Sequence, residues 1–159
     1  MVRRLAVLLL LLATGFAASK PVQSAPVNLA GSWRLDAVAS TLKNIGRAAT
    51  QIVITQSDDE IQFDYVAGEK SLGSDVFALN GRERQRYSSR VERAYSRARF
   101  NKNQLTITTR GVLDVTGEQQ YTDTETWTLS PDGKTLTNDP KDGNLFIYRK
   151  DTSAAAQAQ

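Results

Sequence analysis

From about residue 28 to residue 150 the chain alternates apolar and polar residues in short runs, each closed by a turn signal. A period of two over so many runs predicts an all-β sandwich or barrel. Trp33 and Leu35 alternate with Ser32 and Arg34. Ile52 and Ile54 alternate with Val53 and Thr55, and beyond Ser57-Asp58-Asp59 the residues Ile61, Phe63 and Tyr65 alternate with Gln62 and Asp64, which predicts a hairpin. Val76 to Leu79 predicts a fourth strand, closed by Asn80-Gly81, a pair suited to a tight primed turn. Leu105 and Ile107 follow. Then Tyr121, Asp123, Glu125, Trp127 and Leu129 share one face, with threonines at 122, 124, 126 and 128 on the other. Ser130-Pro131-Asp132-Gly133 is a turn in which Pro presets φ and Gly takes the left-handed position. Leu136 opens a short strand, and Leu145 to Lys150 places Leu145, Ile147 and Arg149 opposite Phe146, Tyr148 and Lys150.

These runs amount to about 8–10 strands joined mostly by short hairpins, more than a small open sheet can protect at its edges. The expected architecture is a single closed antiparallel up-and-down β-barrel. Leu42 and Ile45 predict a short helix over 39–47, capping one barrel end. A core of this size buries enough surface to fold without disulfides.

Composition removes much chemistry. The 159 residues include no Cys and no His, which excludes disulfides, thiolate nucleophiles, a cysteine-borne lipid, zinc sites of the Cys/His kind and the usual neutral-pH base. Arg3 and Arg4 precede a 14-residue apolar run, Leu5 to Ala18, followed by small residues and Pro21. This is the pattern of a cleaved secretory signal, too short for a membrane span. The domain organisation read from the sequence is therefore a signal peptide over 1–25, a barrel over 26–151 and a disordered tail over 152–159. The destination expected is the bacterial periplasm or the outside, with no transmembrane anchor after cleavage. The net charge of +3 resides in Arg3, Arg4 and Lys20, so the mature chain balances 17 Lys+Arg against 17 Asp+Glu and gives no reason to expect a nucleic-acid partner.

The mature charge is nevertheless polarised. Between Arg82 and Arg110 stand nine Lys+Arg and two acids. Helical and strand periods both fit 82–99; the bracketing turns at Asn80-Gly81 and Asn101-Lys102-Asn103 favour a hairpin. Arg84, Arg97, Arg99 and Arg110 are anion-binding candidates, for an acidic partner, an envelope surface or a ligand carboxylate, against a solvated face as the plain alternative. An inward Arg is also free to pair with Asp123 or Glu125.

Gly31-Ser32-Trp33 on the first strand of an exported barrel resembles the lipocalin signature. In that family the Trp closes one barrel end and an Arg or Lys of the last strand packs across it. The resemblance implies structural roles for Gly31, Trp33 and Arg149, with Lys150 the alternative to Arg149, and a cost of about 1–3 kcal/mol for Arg149→Ala. Gly-Ser-Trp-Arg-Leu-Asp early, Asn80-Gly81-Arg82-Glu83 in the middle and the run from Thr126 to Leu136 late are similar to lipocalin-like domains of bacterial exported proteins, over most of 29–150. No family ligand residue carries over.

Two acidic clusters, Asp58-Asp59-Glu60 and Asp139 with Asp142, lack the ligand spacing of a calcium loop. Asp123 and Glu125 share a face only as any residues two apart on a strand do, and without a cleft they do not indicate glycoside chemistry. No motif marks a catalytic residue, a metal site or a cofactor. The reading is a non-enzymatic barrel holding a small apolar, lipid-like or amphipathic molecule. Its alternative is a filled barrel that presents the basic 82–110 arm to a partner. Alternation is the same for both, since only side-chain volume separates a cup from a packed core.

Overall fold

The computed structural model describes residues 27–43 and 49–153. The segment expected to be a signal peptide and the tail from 154 lie outside the described residues. Among the described residues ten strands follow one another: β1 (Gly31–Leu35), β2 (Gln51–Gln56), β3 (Glu60–Ala67), β4 (Lys70–Ala78), β5 (Arg84–Ser88), β6 (Glu92–Asn101), β7 (Gln104–Leu113), β8 (Gln119–Leu129), β9 (Thr135–Asp139) and β10 (Phe146–Lys150). All pairs are antiparallel, and the order across the sheet is β4-β3-β2-β1-β10-β9-β8-β7-β6-β5. The sheet is a meander whose first and last strands pair with each other in the middle, Trp33 opposite Lys150 and Leu35 opposite Tyr148. Rolled up, it forms a nearly closed barrel.

The expected full closure is not reached, because β4 and β5 meet without a hydrogen-bonded ladder. Side chains hold the seam instead. Arg86 grips Asp75 through two nitrogens, Nε to Oδ1 at 3.0 Å being one contact, and its guanidinium lies 5.4 Å from the Phe77 ring centroid. Arg84 reaches Glu60 at 3.4 Å. Asn80-Gly81 is accordingly not the tight turn of a hairpin. It is the loop that carries the chain across the seam, with Gly81 at φ 69° and the Asn80 side chain accepting the Arg82 amide.

Two further differences have local causes. The fourth strand begins at Lys70, well before Val76, because Ser71, Gly73 and Ser74 lack an apolar face at this exposed edge and so give no alternation to read. The helix expected over 39–47 is not seen where residues are described. Asp36 caps a turn through the amides of Ala39 and Ser40, after which Thr41 bridges to Leu145. Residues 44–48 lie outside the described residues. Over 82–99 the chain forms the β5–β6 hairpin, with a register shift between Gln85 and Tyr87.

In a meander, alternate loops share an end of the barrel. The turns β2–β3, β4–β5, β6–β7 and β8–β9 gather at one end with the start of β1 and the end of β10; the loops β1–β2, β3–β4, β5–β6, β7–β8 and β9–β10 gather at the other. Inward side chains divide in the same sense. Towards the first end they are large and apolar, and Trp33, Leu29, Ile61, Leu105 and Leu136 are fully buried. Above them an aromatic group crosses the interior, with Phe63 4.7 Å from Trp127 and Trp127 stacked 6.2 Å from Tyr148. Towards the second end the inward positions turn polar.

Candidate functional site

The closed end is plugged by the segment that precedes β1. Gln56 holds this strap with both halves of its amide: Oε1 accepts the Leu29 amide at 2.9 Å and Nε2 donates to the Val27 carbonyl at 3.0 Å. Trp33, wholly buried, donates its indole N–H to the Leu29 carbonyl at 2.9 Å. The cation packed across Trp33 is Lys150, whose Nζ lies 5.4 Å from the indole centroid, and not Arg149. Register is the reason. Lys150 is the partner of Trp33 and follows Tyr148 on the inward face, whereas Arg149 pairs with Arg34 and points out, bonded to Asp36 at 3.1 Å and Thr135 at 2.7 Å. Gly31, at φ 138°, sits where a Cβ would touch the Lys150 chain at 3.4 Å.

The four anion candidates do not converge on one site. Arg97 and Arg99 point outward from β6, opposite Thr108 and Thr106, and neither has a carboxylate partner among the described residues. Arg110, on the next strand, is engaged: Glu83 clamps it in a two-pronged contact of 2.7 and 2.5 Å, and the Tyr95 ring lies 4.6 Å beneath it. That clamp holds the Glu83 carboxyl below its ordinary range. Arg84 stands at the seam. Among the described residues no Arg forms a salt bridge with Asp123 or Glu125, and Arg86, which lines the same cavity, is committed to Asp75.

The open end holds a cup. Two adjoining cavities, of about 340 and 420 Å³, share Arg86, Thr109 and Tyr121. The first reaches down to Ile107 and Glu125 and out to Pro140 and Asp142; the second extends past Glu92 and Ala94 to the seam at Asp75. Asp123 and Glu125 enter the cup because β8 is read in register against Thr109 and Ile107, both inward. The sequence had placed these two acids on one face; the cleft that brings them together with Asp75 and Glu92 comes only from closure of the barrel. Val91 and Val115, in the β5–β6 and β7–β8 loops, and Tyr87, near the end of β5, expose apolar surface beside the mouth.

The electrostatics of the cup follow from burial. Glu125 accepts one hydrogen bond, from Asn138 Nδ2 at 3.0 Å, and removal from water pushes its carboxyl upward while Asn138, Arg86 and the Trp127 indole pull the other way. Burial also raises the phenols of Tyr65 and Tyr148, which Glu125 pushes further. Tyr121 donates to Glu92 at 2.7 Å, and this bond raises its phenol. The Trp127 indole nitrogen is buried, and its N–H faces the Glu125 carboxylate without the alignment of a full hydrogen bond. Among the described residues no cluster of side chains has the makings of a metal site. Asp139 and Asp142 instead organise the β9–β10 loop, through Lys141 and Asn144.

This fold has a solved counterpart. A crystal structure of a mutant of the fluorescent protein UnaG is similar to it with a TM-score of 0.52 and 22% identity, covering 78% of this chain and 96% of that chain. At this identity the likeness concerns the fold alone, an all-antiparallel, nearly closed barrel. No family model matches the chain, and no curated protein does.

Proposed function

We propose that the protein is an exported, lipocalin-like barrel that holds a small apolar or amphipathic molecule in the cup at its open end, and that it binds without catalysing. The observation that carries this is the division of the interior: packed aromatic and aliphatic side chains fill one half, and above them the cavities of about 340 and 420 Å³ fall in the size range of small-molecule pockets. The apolar loop tips beside a polar interior suit an amphipathic guest. Export rests on Arg3-Arg4 and the apolar run after them, which point to the periplasm or the medium. Native mass spectrometry of the chain recovered from a bacterial envelope, before and after denaturation and refolding, tests the reading. A bound mass of a few hundred daltons lost on refolding is expected. A bare mass in both samples, with no uptake of fluorescent probes, overturns it.

A second reading draws on Arg97 and Arg99, which lie on the outer face of β6 beside threonines, without a carboxylate partner among the described residues. They suit an acidic macromolecular partner or an anionic envelope surface. Such binding weakens steeply with salt, and a salt-independent interaction refutes it.

A further inference from the structure

Among the described residues, the seam between β4 and β5 is the one junction of neighbouring strands without a backbone ladder. What crosses it is side chain: Arg86 on Asp75, with the Phe77 ring beneath, and Arg84 reaching Glu60 of β3. All four charged groups keep contact with water, and ion pairs that do so hold two elements together only weakly. The strands on either side are themselves poorly supported. Every residue of β5 is exposed, and its ladder to β6 shifts register between Gln85 and Tyr87, at Arg86. Facing it, β4 is exposed from Lys70 to Ser74, and its ladder to β3 shifts register between Tyr65 and Val66. Elements with so few buried apolar contacts are the first to open.

Two further observations put the seam in the path of a guest. The larger cavity ends on it, since Asp75 and Arg86, which close the seam, also line that cavity together with Tyr87. The loops at the open end, by contrast, are tied to one another by main chain. The Asp114 amide donates to the Val91 carbonyl at 2.9 Å, joining the β7–β8 and β5–β6 loops, and an ion pair from Arg93 to Asp114 reinforces the tie. Thr41 and Leu145 exchange two backbone bonds of 2.8 Å between the β1–β2 and β9–β10 loops. Of the walls of the cup, the seam is the one closed by side chains alone among the described residues.

We propose that β5 is a flap latched by Arg86 on Asp75, and that the guest enters and leaves the cup through the β4–β5 seam when the latch is released. The proposal rests on the small-molecule reading above and adds the route to it. β5 is the part that moves, because β6 behind it is in ladder with β7 along its whole length and buries Ala94, Ser96 and Ala98. The flap is fixed at both ends: the Leu79 amide donates to the Asp59 carbonyl and the Ser89 amide to the Glu92 carbonyl, each at 2.8 Å. Tilting β5 outward about its ladder to β6 breaks the two ion pairs and no backbone bond of the seam. Opening by this route is therefore less costly than parting any laddered pair of strands.

The chain has no Cys, so an introduced pair of thiols is the only one to react. Val76 and Gln85 are the chain neighbours of Asp75 and Arg86 on the facing strands, both exposed, and line neither cavity. The refolded Val76→Cys, Gln85→Cys protein is loaded with N-phenyl-1-naphthylamine, an uncharged fluorescent probe, and then either stapled with bis(maleimido)ethane or capped at each thiol with N-ethylmaleimide. Release of the probe on dilution is expected to be at least about tenfold slower from the stapled chain than from the capped one. Arg84→Ala, with no cross-linker present, removes one exposed ion pair of the seam and is expected to speed release about 1.5- to 5-fold. Equal release from stapled and capped chains overturns the gate and leaves a small-molecule barrel standing, filled through its open end. Slowing by a Val91→Cys, Val115→Cys staple and not by the seam staple overturns it in the same way. Where the seam thiols do not join, release unchanged by Arg84→Ala overturns it. A folded chain that takes up no probe overturns both the gate and the small-molecule reading.

Discussion

Replacing Gln56 by Ala tests whether the strap before β1 is what plugs the closed end. The substitution removes two hydrogen bonds, Leu29 N–H to Oε1 and Nε2 to the Val27 carbonyl. Each contributes about 1 kcal/mol net, so the loss is ~2 kcal/mol if the strap stays in place. If the strap lifts, Leu29 leaves a site in which it is 0% exposed, and about 1.5–3 kcal/mol of apolar burial goes with it. The bond from Trp33 Nε1 to the Leu29 carbonyl then breaks as well, and the indole meets water. For a barrel of roughly this size each kcal/mol shifts Tm by about 3–5 °C, so a fall of ~6–10 °C is expected with the strap in place and ~14–30 °C with it lifted. Thermal melts followed by circular dichroism measure the first quantity, and the Trp emission maximum reports the second. Gln56→Met separates the bonds from the packing, because it keeps side-chain length without the amide. It is expected to match the Ala variant to within about 1 kcal/mol. A melting curve unmoved by either substitution refutes the view that the strap is hooked by Gln56.

Three other outcomes follow from the geometry. Lys150→Ala is expected to cost about 0.5–1 kcal/mol and to alter Trp emission, since Lys150 is the cation over Trp33; Arg149→Ala, which loses an exposed contact to Asp36, is expected to leave emission unchanged and cost less than about 1 kcal/mol. Chemical denaturation with fluorescence detection compares them, and the reverse order refutes the assignment. Glu125→Gln is expected to stabilise the chain at neutral pH. The carboxyl titrates higher folded than unfolded, facing Asp75, Arg86, Tyr65 and Tyr148 as well as Asp123 on its own strand, so its cost is absent below the unfolded value and grows as pH rises through the folded one. Urea midpoints across pH are expected to converge in acid, and a constant offset at every pH refutes this. Gly111→Ala is expected to swing Tyr121 out of the cup, because the new Cβ lies 2.1 Å from the ring, and a spectrophotometric titration then finds the Tyr121 phenol nearer its ordinary value once the Glu92 bond is gone.

The strand pairs were legible because alternation against a packed interior is a local signal. Ile52 to Tyr65 declared their hairpin, and the inward face of β8 from Tyr121 to Leu129 was readable residue by residue. Lys70 to Asp75 was not, since an edge strand with Gly73 and serines has no apolar face to show. The choice between Lys150 and Arg149 was within reach: Tyr148 and Trp127 are the large aromatics near the end of the chain, and the residue two beyond an inward Tyr is itself inward. The acidic cup was the feature least accessible to sequence. Asp75, Glu92, Asp123 and Glu125 come from β4, β6 and β8, and only the rolling of the sheet faces them towards one another. Composition misled here as well, because the cations between Arg82 and Arg110 that dominate the charge map largely point outward or stand at the seam.

The seam has a consequence for where this chain is continuous. Between β4 and β5 the polypeptide runs on through Asn80 and Gly81 while the hydrogen-bond network stops; between β10 and β1 the network runs on with no loop joining the two strands. Covalent and hydrogen-bonded connectivity are thus two different circuits, each broken where the other is intact. A chain recut between Asn80 and Gly81, and joined from the end of β10 to the strap, would keep every ladder of the native barrel. In that molecule the two circuits would open at the same place, and the barrel would become a sheet free to unroll along Arg86 and Asp75.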